Sequence, residues 1–207
     1  MFSMLSSPSS ANPLLSLHRL SWTALAAALI SAGAFFYIPL GPVPITLQDF
    51  FVAISGFVLG ARYGAFAVLL YIAGGIVGLP VFSGGRSGLG HILGPTGGYL
   101  AGFVFLAFFT GFAGQVILRM EKKHSFGREA RKTAILAGQI GIGLLLSLAG
   151  LGLMYLCGAA RFAAVMNVSL VEAAVVCIIP FLPIDISKVA LSLLLWRMLH
   201  KRTVVPG

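Results

Sequence analysis

The sequence predicts an all-α integral membrane protein, a six-transmembrane-helix bundle with long outer-face loops and a short interfacial helix. Two observations carry that prediction. Of the 207 residues, 58% are hydrophobic and only 9% charged, where a soluble domain has about 25% charged. The 14 Lys and Arg gather at the ends of apolar runs, which is the pattern that orients membrane helices. The net charge of +9 therefore belongs to a chain whose partner is a lipid bilayer, and nothing in it points to nucleic acid. Cys157 and Cys177 lack metal-ligand spacing and read as two buried thiols, with a disulfide as the alternative. No metal or cofactor is expected.

Residues 1–18 form a Ser- and Pro-containing stretch with no positive n-region ahead of an apolar core, so they read as a mobile tail and not as a secretory signal. A Ser-rich transit peptide fits poorly, because Arg is absent from it. Residues 19–202 make a single transmembrane domain, and 203–207 a C-terminal tail. The first span, 22–39, repeats Ala24, Ala28 and Ala32 on one ridge. Small residues at that spacing admit another helix, either inside the bundle or from a second protein. The run 41–49 carries two prolines that force extended backbone. Thr46 is then a candidate N-cap with Asp49 three residues on as its acidic partner. Thr46, Gln48 and Asp49 are either a cap or the edge of a site; capping is the expected job of Asp49, and Gln48 is open. A short helix follows to about Gly60, and Arg62 marks a turn.

The third span covers 63–79. A glycine-rich loop at 80–98 follows, without secondary structure of its own, a length that suits a functional lid. It lacks the Gly-Lys-Ser/Thr of a phosphate-binding loop. Phe82 and Tyr99 bring aromatic surface to it, Ser83, Arg86 and His91 polar groups, and His91 is expected at the surface. The fourth span, 98–118, ends in Arg119, Lys122, Lys123, Arg128, Arg131 and Lys132, a cluster that belongs in the cytoplasm. The fifth span is 133–157. Residues 158–182 hold few charges and include a short helix near 168–179 along the mouth of the bundle. The last span, 183–199, closes with further basic residues. Both termini then lie in the cytoplasm, and the 41–49 turn, the glycine-rich loop and the start of the last helix meet at the outer face. Polar loops that converge on one face lay out a binding pocket.

Asp185 and Lys188 are the charges to weigh in the last helix. Three residues apart, they share one face of its first turns. Charges at membrane depth are costly and serve a pathway or ligand more often than they serve a helix alone. No His-Glu-x-x-His pair, Gly-x-Ser-x-Gly elbow or acid dyad is present, so nothing indicates an enzyme. No internal repeat favours a stand-alone transporter or channel, which remains the alternative class.

Gly-Pro-Val-Pro-Ile-Thr-Leu-Gln at 41–48, Gly-Leu-Pro-Val-Phe at 78–82, Gly-Pro-Thr-Gly-Gly-Tyr at 94–99 and Pro-Phe-Leu-Pro-x-Asp-x-x-Lys at 180–188 resemble the BioY family. These are the biotin-specific S-components of energy-coupling-factor (ECF) transporters. The resemblance spans roughly residues 20–200 and leaves the first eighteen outside. It implies a high-affinity biotin-binding subunit of the bacterial cytoplasmic membrane, with a pocket near the outer surface. It also implies pairing with an ECF transmembrane coupling subunit and two ATPase subunits that use the ATP, and it makes Ala24, Ala28 and Ala32 the docking ridge. Specificity for another vitamin is the alternative within the class. Where the family commonly has Gly before the acid, this chain has Ile184, so the geometry at Asp185 is less determined than its identity. A buried carboxylate can accept from the ureido N–H groups of biotin, and Asp185 is the candidate. Lys188 can neutralise Asp185, donate to a ligand oxygen or pair with the tail carboxylate. Phe82 and Tyr99 would cover ring and tail, and Gly97 and Gly98 would let backbone approach the ligand. Thr46, Gln48, Ser83 and Arg86 are the further polar candidates.

Overall fold

The computed structural model describes residues 13–39, 41–123 and 129–201. Its helices are α1 (Pro13–Phe35), α2 (Gln48–Ile76), α3 (Leu89–Leu93), α4 (Gly97–Lys123), α5 (Glu129–Met166), α6 (Leu170–Cys177) and α7 (Leu182–Lys201). A two-stranded antiparallel ribbon, β1 (Tyr37–Ile38) with β2 (Ile45–Thr46), joins α1 to α2. The ribbon is absent from an all-α expectation because strands of two residues leave no periodicity to read. α1 begins at Pro13, a residue suited to a first helical turn, inside the stretch 1–18 expected as a tail. Residues 1–12, Arg128 and 203–207 lie outside the described residues.

α2 is a hairpin and not one rod. At Gly60 the backbone takes φ 77° and ψ 171°, a left-handed-side conformation that glycine alone adopts without strain. Gln48 Nε2 lies 2.5 Å from Tyr71 Oη, whereas 23 residues of unbroken helix would separate them by about 34 Å. The two arms cross where a Cβ on Gly64 would meet the Gly56 Cα at 2.7 Å. This is the short second helix, the turn near Arg62 and the third span that the sequence predicts. Counting both arms with α1, α4, α5 and α7 gives six helical passes. The first arm, residues 48–59, spans only about 18 Å, less than the hydrocarbon core. The ribbon leads directly into it, and non-helical backbone of this kind is tolerated near a bilayer where it lines a cavity.

By length and composition α2, α4 and α5 are fit to cross a membrane, and the pair α6 and α7, bent by 59°, makes a fourth candidate. Phe66, Leu69, Leu70, Phe105, Phe108, Phe112, Leu145, Leu191 and Leu194 face outward in mid-helix, an apolar belt that only lipid covers favourably. Inside, backbones close up through small residues: Gly56 and Gly111 bring α2 against α4, and Gly102 brings α4 against Met154 of α5. The main core runs from Ile30 and Val52 through Leu106 and Met154 to Val189. Phe57, Ile117, Leu193 and Trp196 pack separately toward the opposite end.

Candidate ligand site at the mouth of the bundle

α7 starts directly after a tight turn in which Phe181 and Leu182 donate back to the Ile178 carbonyl. Asp185 therefore falls in the first turn of α7, on the side facing α2 and α5, and is 7% exposed. Lys188, one turn on, places Nζ 2.9 Å from Asp185 Oδ1, 2.9 Å from Asp49 Oδ1 and 2.6 Å from the Thr46 carbonyl oxygen. An ammonium has three N–H donors, and all three are engaged. Tyr155 of α5 donates its hydroxyl to Asp185 Oδ2 at 2.6 Å. Asp49 Oδ2 is buried with no hydrogen-bond partner. Two carboxylates thus flank one cation, and the one oxygen of the set without a partner belongs to Asp49.

These groups line a cavity with Thr46, Gln48, Ser83, His91, Thr96, Tyr99, Phe103 and Phe181. The free space is about 60 Å³, room for a few waters. Tyr99 stands edge-on to Tyr155 at 6.3 Å and donates its hydroxyl to the Cys177 carbonyl at 2.6 Å. His91 stacks on Phe82 with ring centroids 5.0 Å apart, and Phe82 stands edge-on to Tyr71, which receives the Gln48 amide. Burial, and then the nearby positive charge of Arg86, hold the His91 imidazole below its ordinary pKa. His91 is therefore neutral near pH 7, with one ring nitrogen left as an acceptor.

The structure brings together Asp185, Lys188, Thr46, Gln48, Ser83 and Tyr99 among the expected residues. Four others sit elsewhere. Phe82 is fully buried behind His91, over Gly75, where a side chain would collide with its ring. Gly97 and Gly98 admit protein and not ligand: a Cβ would strike the Ile92 carbonyl at the first and the Cys157 carbonyl of α5 at the second. Arg86 is exposed on the loop, in a bridge with Phe82, outside the cavity lining. Thr46 lies in the ribbon, one residue ahead of the N-cap position that Leu47 holds without a side-chain cap bond, and its hydroxyl accepts the Gln48 N–H at 3.4 Å. Asp49 is freed from capping and becomes part of the site. His91, expected at the surface, lines the cavity, since the loop coils into α3 and turns it inward. Asp49 takes the site role that the sequence left as its second alternative, and Tyr155 and Thr96 are cavity residues that the sequence did not single out. Tyr155 had a faint signal, a hydroxyl in an otherwise apolar span, but nothing in sequence pairs it with a residue thirty positions away.

Ala24, Ala28 and Ala32 are all exposed on α1, while Ala26, Ala27, Ile30 and Ala34 are buried on its other side. The ridge does not pack inside the bundle. Cys157 and Cys177 are free thiols.

The BioY family model matches residues 7–204. The chain belongs to the BioY family. The match takes in part of the N-terminal segment that the four motifs left outside. A probable biotin transporter BioY of Pyrococcus horikoshii is 35% identical over 89% of this chain and 98% of its own length. A biotin transporter BioY of Rhizobium etli is 39% identical over 84% and 89%. That of Thermotoga maritima is 46% identical over 58% of this chain and 65% of its own. Among solved structures, the S-component for biotin from an ECF-type ABC transporter superimposes with a TM-score of 0.72 at 28% identity, covering 95% of both chains. This BioY-family member thus shares a fold with an S-component over nearly its whole length.

Proposed function

We propose that this protein is a biotin-binding S-component that takes up biotin together with an ECF energising module. The observation that carries the reading is the Lys188 cluster, two buried carboxylates around one saturated ammonium with Asp49 Oδ2 left to accept. The ureido head of biotin offers two N–H donors, and a charge-assisted bond to each is worth about 1.5–3 kcal/mol. Asp49 Oδ2 takes one, and Asp185, which has unused lone pairs, takes the other. Lys188 neutralises the pair and orients it, since donating to ligand would mean giving up an existing bond. Two carboxyl groups share the one cation of the cluster, so the tail carboxylate of biotin points away from it, toward the loop that carries Arg86. Tyr99, Phe103 and Phe181 supply apolar walls for the ring and tail.

The exposed alanine ridge supports α1 as the docking face for the coupling subunit, with two ATPase subunits supplying the energy. The basic ends of the helices support a bacterial cytoplasmic membrane location with both termini inside. The test is equilibrium binding of biotin to the purified protein in detergent. Biotin should bind in preference to thiamine or riboflavin, and Asp185→Asn should weaken it by about tenfold or more. A variant that binds within about twofold of wild type, or a wild type that prefers another vitamin, defeats the assignment.

A further inference from the structure

At the end of the bundle away from the Lys188 cluster, a second cavity of about 320 Å³ opens between α1, the Gly60 turn of α2 and α4. Its polar lining is His18, Arg19, Arg62, Tyr63 and Gln115, with Trp22 on one wall. On its floor α4 packs Gly111 directly against the Gly60–Ala61 backbone of the turn. No acidic side chain lines it among the described residues. The two guanidiniums are exposed and lie over rings, Arg19 at 5.6 Å from the Tyr63 centroid and Arg62 at 5.9 Å from that of Phe66. Arginines held over aromatic faces, with no carboxylate beside them, present their N–H forks to an incoming anion.

Trp22, Val58 and Leu59 are also walls of an adjoining groove of about 270 Å³ between α1, the first arm of α2 and α7. That groove is lined by Leu25, Leu29, Phe50, Ile54, Leu195 and Leu199. From Trp22 to Leu29 it follows α1 for about 10 Å. A positively lined pocket ringed by Trp and Tyr, running on into an apolar channel parallel to the helices, matches one chemistry: an anionic head with a hydrocarbon chain.

We propose that this end of the bundle holds one anionic phospholipid, its phosphate between Arg19 and Arg62 and part of an acyl chain in the groove between α1, α2 and α7. The site shares no lining residue with the ligand cavity. The lipid would sit beside the alanine ridge, because Leu25 and Leu29 flank Ala28, and so would border the surface proposed for the coupling subunit.

The test uses the full chain, delipidated in mild detergent, with native mass spectrometry of lipid titrations. Phosphatidylglycerol should bind about tenfold tighter than phosphatidylcholine with the same chains. Arg19→Gln/Arg62→Gln should bring the two lipids to within about twofold of each other, with biotin binding retained as the check on folding. Leu25→Trp, which fills the groove, should weaken both lipids alike. Equal affinities in the wild type overturn the proposal, as does a preference that survives in the double variant. So does inorganic phosphate that competes at the concentrations where the lipid binds, because that would be an anion site with no use for the groove.

Discussion

Lys188 donates to three different acceptors, so what its neighbours lose on substitution differs sharply. Lys188→Met would leave Asp49 and Asp185 facing each other without a cation, and stranding buried charge costs about 3–5 kcal/mol. It should appear as a loss of thermal stability in the absence of ligand. Asp49→Leu instead leaves a one-to-one pair of Lys188 with Asp185, and removes both the unpartnered Oδ2 and the Oδ1 that accepts from Lys188. That variant should keep its melting temperature and lose about ten- to a hundredfold in biotin affinity, measured by calorimetry. An Asp49→Leu protein with wild-type affinity would return Asp49 to a purely structural role. The site was legible in part at this scale. Asp185 and Lys188 stood out because two opposite charges three residues apart are rare in an apolar run. Asp49 was hidden because an acid shortly after a Thr at a helix start has a complete local explanation, and only the ribbon that takes up Thr46 rules it out.

Among the elements, α1 is the one whose two faces differ most clearly in use. Ala26, Ala27, Ile30 and Ala34 bury one side, and Ala24, Ala28 and Ala32 form the other. The four-residue spacing alone could not choose between internal packing and docking, because small residues suit both. Ala28→Trp should leave biotin affinity within about twofold of wild type and lower copurification of the coupling subunit by about tenfold. Unchanged copurification would move the docking surface elsewhere. The hairpin of α2 was foreseen from Gly60 and Arg62. The short α6 was foreseen too, and its start is fixed locally: Ser169 and Glu172 make a reciprocal capping box. α3 and the ribbon were not foreseen, since segments this short are held by tertiary contacts and have no pattern of their own.

For the whole molecule, the separation of its two ends is the main feature. Asp49, Asp185, Tyr99, Tyr155 and the glycine-rich loop collect at one, and Arg19 and Arg62 at the other. The proposed orientation predicts that, with Cys157 and Cys177 replaced by Ala, an impermeant maleimide labels Ser87→Cys on intact cells. Arg119→Cys should label only after the membrane is opened. Labelling of Arg119→Cys from outside would invert the topology. The sequence by itself determined that this chain lives in a bilayer and where its strongest charge pair lies, because hydropathy and charge placement act locally along the chain. Only the tertiary structure decided that Asp49 and Tyr155 complete that pair, that Phe82, Gly97 and Gly98 support the site from behind, and that the alanine ridge is bare. Each of those depends on which backbones approach one another across α2, α4, α5 and α7, and contacts between residues far apart in sequence leave no trace in local spacing.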